Sequence, residues 1–268
     1  MKVTVIGAGN MGGALAKGWA RAVREGKDTL YLDVTVTART QKTLKKIADE
    51  YPELNTSLDN KAATADADVI VLAVKPWLVN DVINEIASSV NLNNQLIVSV
   101  AANIFTDDLR KMLGSEKAKV FYVMPNIAAE YGESMTFVAS AKGISEDETD
   151  TVRQLFALDG NVMVCEERLV AAGMMMAGCG IAYAMRFVRA LMEGGVELGL
   201  YPKDALNIAQ QTMLGAVTLL KETGLHPEAA IDKVTTPGGV TIKGLNELDH
   251  AGFNSAVIRS LKAGLCKS

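Results

Sequence analysis

From Val3 to Cys165, short apolar runs alternate with stretches of helical periodicity. VTVIG (3–7) predicts a strand, and Asn10–Arg24 a helix with Met11, Ala14, Leu15 and Gly18 on one face. Leu32–Thr37 predicts a second strand and Gln41–Glu50 a second helix. Val69–Val74 (VIVLAV) is apolar throughout, as expected of a strand buried on both faces. Trp77–Ser88 predicts a helix, Gln95–Val100 a strand, Thr106–Leu113 a helix and Val120–Met124 a strand. Met135–Ser140 and Asn161–Cys165 predict two more strands, with a helix over Ser145–Leu158 between them. This alternation predicts an α/β unit with a parallel, doubly wound sheet of Rossmann type.

The pattern changes at Cys165. Long helical segments follow: Glu166–Gly199, Pro202–Gly224, Pro227–Val234, Thr241–His250 and Asn254–Leu265. Pro202 and Pro227 fit first turns of helices, and Gly199 and Gly224 fit C-terminal stops. The expected boundary therefore separates an α/β domain, 1–164, from an all-α domain, 165–268.

Composition changes this picture little. Of 268 residues, 49% are apolar and 22% charged, which is ordinary for a soluble globular protein. A net charge of −4 argues against nucleic acid as a main partner, because phosphate binding needs clustered Lys and Arg. Cys165, Cys179 and Cys266 show no CxxC spacing, which predicts reduced thiols in a cytoplasmic protein. His226 and His250 are too few and too scattered for a metal site, so no metal is expected. MKVTVIGAGN does not read as a signal peptide, since its apolar run is short and ends in glycine. Leu169–Met185 carries no charge, but it is Gly- and Ala-rich and short of a spanning length. It predicts a helix buried in the fold or packed on a partner chain, not a membrane span.

The candidate chemistry begins at GAGNMG, Gly7–Ala8–Gly9–Asn10–Met11–Gly12, which matches G-x-G-x-x-G between a strand and a helix. Gly7 permits the tight turn, Gly9 lets the backbone approach a pyrophosphate, and Gly12 allows close helix–strand packing. The free N–H groups and the helix dipole favour phosphate there. This makes 1–164 a dinucleotide-binding domain. The second predicted strand runs into Ala38, Arg39 and Thr40 and offers no acid for a ribose 2′-hydroxyl. Arg39 can pair with a 2′-phosphate, which favours NADPH over NADH, or lie solvated on the surface. Ala73–Val74–Lys75–Pro76 follows the buried strand, where Lys75 is placed to touch ribose or phosphate, or to be an ordinary surface lysine. Ala101 and Ala102 are small enough to let a nicotinamide ring lie close. Asn126 ends another strand and offers either a crevice amide or a turn residue. Near the other end of the chain, KVTTPGGVT (233–241) places two glycines and several threonines before a helix. It is either a turn or a cradle for a small anion.

GAGNMG, AVKPW, VMPN, GCGIAYAMRF, MEGGVELGL, QTMLGA and TTPGGVTIKGLNELDHAGF come in the order and spacing of pyrroline-5-carboxylate reductases, and the chain resembles that family over essentially its whole length. The resemblance implies reduction of 1-pyrroline-5-carboxylate to L-proline by NAD(P)H, the last step of proline biosynthesis. It implies that 165–268 binds substrate and forms an intertwined homodimer, with rings of dimers in many members. By position it assigns the cofactor to Gly7–Gly12, the region of Arg39 and Thr40, Asn60, Ala73–Pro76, Ala101 and Ala102. It assigns the substrate to Thr236, Gly238, Gly239, Val240 and Thr241. Bare N–H groups at a helix start would then receive the substrate carboxylate.

Reducing a protonated imine lowers charge and needs no strong acid, unlike reduction of a ketone. No His–Asp pair or lysine acid stands near the crevice motifs, which suits an imine. The expected catalytic residue is Thr241, hydrogen-bonding the ring nitrogen. Several positions depart from the family. Tyr122 stands where Arg is common, Ile127 and Ala128 replace Thr-Pro, and Ser134 replaces a glycine. Ala177, Cys179 and Ile181 alter the Gly-Ser-Gly-Pro element, and Thr236 replaces Ser. These changes leave open another NADPH-dependent imine or hydroxy-acid reductase on the same scaffold, or a non-catalytic NADP-binding regulator.

Overall fold

The computed structural model describes residues 1–265; Cys266 lies outside them. An eight-stranded mixed sheet forms the centre of the first compact unit, Met1–Gly178. Its strands are β1 (Lys2–Ile6), β2 (Asp33–Thr37), β3 (Asn55–Ser57), β4 (Val69–Leu72), β5 (Leu96–Ser99), β6 (Val120–Met124), β7 (Ser134–Ser140) and β8 (Gly160–Val164). They lie in the order β3-β2-β1-β4-β5-β6-β7-β8. Between them run α1 (Asn10–Arg24), α2 (Gln41–Glu50), α3 (Asn60–Thr64), α4 (Val79–Ile86), α5 (Thr106–Leu113) and α6 (Glu146–Ala157).

The apolar run of β4 explains why helices cover both faces. Alternate residues of a strand point to opposite sides. Val69 and Val71 join the cluster of Leu15 and Trp19 from α1 and Leu155 and Phe156 from α6. Ile70 and Leu72 join Val79, Ile83 and Ile86 from α4 and Leu109 from α5. Trp19 is fully buried, donates its indole N–H to the Leu155 carbonyl at 3.0 Å, and meets Phe156 edge-on.

Two expectations need correction. The sheet is not wholly parallel, because β7 runs antiparallel to β6. Residues 125–133 between them hold only a short, tight helix, Ile127–Tyr131, too short a path for the crossover that a parallel neighbour requires. The chain also forms β3 and α3, which the hydrophobic pattern does not show. β3 is three polar residues held on the edge of β2, with Thr35 opposite Asn55.

The first unit extends past the expected boundary at 164. Helix α7 (Glu167–Gly173) lies on the sheet, with Val170 buried among Tyr122, Met124 and Ala139. Gly173 sits so close to Phe137 that a Cβ there would fall 2.6 Å from its ring. A wider turn, Met174–Cys179, follows.

The second unit, from Cys179 onward, contains α8 (Gly180–Glu197), α9 (Pro202–Thr223), α10 (Pro227–Lys233), α11 (Val240–His250) and α12 (Phe253–Ala263). Prolines open α9 and α10, and Gly224 ends α9 in the left-handed conformation. Gly195 of α8 packs on Ala205 of α9, and Phe187 meets Phe253 of α12 at 5.8 Å. Among the described residues, Ala205, Ala209 and Ala230 are the buried apolar ones here, while Met185, Leu214, Val217 and Ile258 are exposed. The helical stretch Glu167–Glu197 is long and apolar enough to cross a bilayer by length and composition, longer than the uncharged 169–185 segment alone.

Candidate active site

The parallel strands β1, β2, β4 and β5 bring their carboxyl ends to one edge of the sheet. The chain leaves β1 toward β2 and β3, then returns to place β4 on the other side of β1. Ligands of open α/β sheets bind at such a reversal.

The Gly7–Gly12 turn stands at this point. Gly7 has φ +106°, and a Cβ on it would lie 2.7 Å from the Ala73 carbonyl oxygen. Gly12 is closer packed still: a Cβ would lie 2.1 Å from the Gly7 oxygen and 2.8 Å from the Ala73 Cβ. Gly9, the residue before α1, faces open space with nothing within 4 Å of where a Cβ would stand. No side chain caps α1 and no acid lies in its first turn, so the N–H groups after Gly9, from Asn10 and Met11, remain for an incoming anion. Ala8 is half-buried against the core below. This is the space and the donor set that a pyrophosphate needs.

Thr37 at the end of β2 is buried and donates its hydroxyl to Asn60 Oδ1 at 2.6 Å. Asn60 Nδ2 in turn donates to both carboxylate oxygens of Glu85 on α4, at 3.2 and 3.1 Å. Asn60 therefore stands beside the carboxyl end of β2, held from two sides. Glu85 was not foreseen, and nothing in the sequence distinguishes it from any exposed acid of an amphipathic helix. Arg39 is exposed and has no side-chain partner among the described residues. Thr40 caps α2, its oxygen accepting from the Thr43 N–H at 3.4 Å, so its hydroxyl has a structural task.

Ala73 continues from β4 and donates its N–H to Ile6 at 2.9 Å. Val74 packs on the core, Lys75 is exposed, and Pro76 opens a single turn of helix. Ala101 is buried and Ala102 half-buried in the turn after β5. Asn126 is occupied by turn chemistry: its Oδ1 accepts from the Ala128 N–H and its Nδ2 donates to the Ala177 carbonyl.

In the helical unit, Gly238 has φ +72° and Gly239 precedes α11. The Thr236 hydroxyl oxygen lies 2.6 Å from where a Gly239 Cβ would stand. No side chain caps α11, and its first turn holds no acid. Val240 and Thr241 are exposed at the start of that helix, and Thr241 has no hydrogen-bond partner among the described residues. The Gly239 N–H donates to the Thr236 carbonyl at 2.9 Å, so the loop is a helix start whose bare N–H groups begin at Val240, with a threonine on each side.

Known proteins agree with both halves. Residues 167–268 match the family model described as pyrroline-5-carboxylate reductase dimerisation, and residues 2–103 match one described as NADP oxidoreductase, coenzyme F420-dependent. A pyrroline-5-carboxylate reductase of Arabidopsis thaliana is 33% identical over 100% of this chain and 94% of its own length. The chain belongs to the pyrroline-5-carboxylate reductase family. Pyrroline-5-carboxylate reductase 1 of Dictyostelium discoideum is 35% identical over 97% of this chain, which spans 48% of that longer protein. The NADP-bound structure of the Plasmodium falciparum pyrroline carboxylate reductase is 26% identical, with a TM-score of 0.85 over 98% of this chain and 95% of that one.

Proposed function

We propose that this chain is an NADP-dependent oxidoreductase that reduces 1-pyrroline-5-carboxylate to L-proline, the last step of proline biosynthesis. The observation that carries it is membership of the reductase family over the whole chain. The residues fit the reaction. Gly7–Gly12 and the start of α1 hold the pyrophosphate, with Ala73–Pro76 beside it. Arg39 pairs with the 2′-phosphate, which makes NADPH the preferred cofactor and NADH the weaker one. Asn60 serves the adenine ribose, and Ala101 and Ala102 leave room for the nicotinamide. The bound cofactor supplies the hydride.

The N–H groups of Val240 and Thr241, at the start of α11 after Gly238 and Gly239, receive the substrate carboxylate with the Thr236 hydroxyl, and the Thr241 hydroxyl binds the ring nitrogen. No strong acid is required, because the imine enters protonated and leaves as a neutral amine. Catalysis is then chiefly orientation, which can supply about 7–11 kcal/mol of a barrier. The exposed apolar helices of the second unit are covered by a second copy, giving a homodimer, or a ring of dimers, in the cytoplasm.

The test is oxidation of NADPH by the purified protein with racemic pyrroline-5-carboxylate, with proline assayed as product and NADH run alongside. Turnover to proline with NADPH preferred is expected. NADPH binding without turnover would overturn the substrate, and equal kcat/KM with NADH would overturn the role of Arg39. Thr241→Ala should lower kcat/KM roughly tenfold or more, the effect of one hydrogen bond to a charged group. An unchanged kcat/KM removes Thr241 from the mechanism.

A further inference from the structure

Asn103, in the turn after β5, is one of two non-glycine residues with positive φ among the described residues, at +61°. Left-handed backbone is unfavourable for a residue with a side chain, least so for Asn and Asp, and it persists where the surroundings enforce it. The Asn103 N–H donates to the Tyr122 hydroxyl of β6 at 3.2 Å. Phe105 lays its ring edge-on against Tyr122, with centroids 5.5 Å apart. Thr106 then donates its N–H and hydroxyl to the Glu167 carboxylate of α7, at 2.7 and 3.3 Å. At the near end, the Ala101 N–H donates to Ser99 Oγ at 3.2 Å. The turn 101–106 is thus pinned by side chains from β6 and α7.

Tyr122 is 2% exposed, and its neutral oxygen is used by Asn103. Burial raises the Tyr122 pKa, so the hydroxyl stays protonated.

We propose that Tyr122 is a positioning residue for hydride transfer: its hydroxyl holds Asn103 left-handed and so sets where Ala101 and Ala102 stand against the nicotinamide. This rests on the cofactor reading above. It makes the Tyr122 hydroxyl matter to the cofactor end of the reaction and not to the carboxylate end.

The experiment is a double-mutant cycle of Tyr122→Phe and Asn103→Gly, measuring NADPH Kd by nicotinamide fluorescence beside steady-state kinetics. Phenylalanine keeps the ring packed on Phe105 and removes only the acceptor. Tyr122→Phe should raise the NADPH Kd and KM roughly three- to tenfold, with the KM for pyrroline-5-carboxylate within about twofold. Glycine takes the left-handed conformation without strain. On the Asn103→Gly background the same substitution should therefore change Kd by less than about twofold. Unchanged Kd in Tyr122→Phe, or an equal loss in both backgrounds, overturns the proposal. So does a matched rise in both KM values with a falling Tm, the mark of a merely structural role. A wild-type protein that binds NADPH without turning over the substrate would sink the substrate reading, and the Kd cycle would still decide Tyr122. One that binds no nicotinamide cofactor overturns both.

Discussion

Gly9 and Gly12 belong to one motif yet do different things, and single substitutions separate them. A Cβ on Gly12 would meet the Gly7 oxygen at 2.1 Å, whereas one on Gly9 would meet no atom within 4 Å. Gly9→Ala should keep the wild-type Tm and weaken NADPH binding, because the new methyl enters the space left for phosphate. Gly12→Ala should lower Tm as well, because backbone at the β1–α1 junction must move. Thermal melts and an NADPH titration of both proteins check this; equal Tm losses would refute the division. Asp159 presents a different residue-scale problem. It is fully buried, neither carboxylate oxygen has a hydrogen-bond partner among the described residues, and Oδ1 lies 2.4 Å from where a Gly18 Cβ would stand. Burial drives its pKa well up, and the Arg21 charge offsets this only in part. A carboxyl raised in the folded state is protonated there while ionised in the unfolded chain, so stability falls as pH rises above the ordinary carboxylate value. Asp159→Asn should raise Tm at neutral pH, with the gain shrinking toward pH 4; a lower Tm at pH 7 would refute it. The glycines were legible because their spacing follows the backbone's needs. Asp159 was not, since an acid in Leu-Asp-Gly reads as an ordinary turn and burial is a property of the packed neighbours.

Helix α6 shows how an element is fixed at its ends. Ser145 and Glu148 form a reciprocal capping box: the Glu148 N–H donates to Ser145 Oγ at 3.2 Å, and the Ser145 N–H to Glu148 Oε2 at 2.9 Å. Lys119 places its ammonium 2.8 Å from Glu148 Oε1, tying the helix to the start of β6. The hydrogen bond from Lys119, followed by that from the Ser145 backbone, lowers the Glu148 pKa to about 2. A depressed folded pKa gives stability that is present above the unfolded value and lost as pH falls through the folded one. Glu148→Gln should therefore melt below wild type at neutral pH, and the two should converge between about pH 4.5 and pH 2. A constant difference across that range would refute the assignment. Both partners are partly solvated, so the effect should shrink in high salt. At this scale the sequence was most legible where periodicity and caps coincide. Asn10–Arg24 and Gln41–Glu50 are helices over the expected residues. The edge strand β3 escaped because three polar residues carry no period. The direction of β7 escaped because alternation marks a strand but not the way it runs.

The molecule as a whole has one well-filled core and one set of helices without one. Trp19, Phe121 and Phe156 are fully buried in the α/β unit, whereas α8, α11 and α12 bury no residue. Helices stabilise a fold by burying an apolar face, and these faces lie open in the single chain. Segment order and the change at Cys165 made a helical second half legible. What covers it was less so, because an apolar stripe looks the same whether its own chain or another buries it. Residues 167–268 match the family model described as pyrroline-5-carboxylate reductase dimerisation, which supports the proposal that a second copy covers these faces. Obligate interfaces of this kind bury on the order of 2,000–5,000 Å² and resemble a core cut in half. Leu214 and Val217, one turn apart on α9, are 60% and 46% exposed in the chain. The protein should sediment as a dimer, or a multiple of it, at all accessible concentrations. The wild-type Tm should rise with protein concentration, since folding and association are linked in such a dimer, and Leu214→Asp with Val217→Asp should shift the protein toward monomer and lower Tm. A variant that stays dimeric with unchanged Tm would place the interface on other helices, and a wild-type monomer would leave these apolar faces without an occupant.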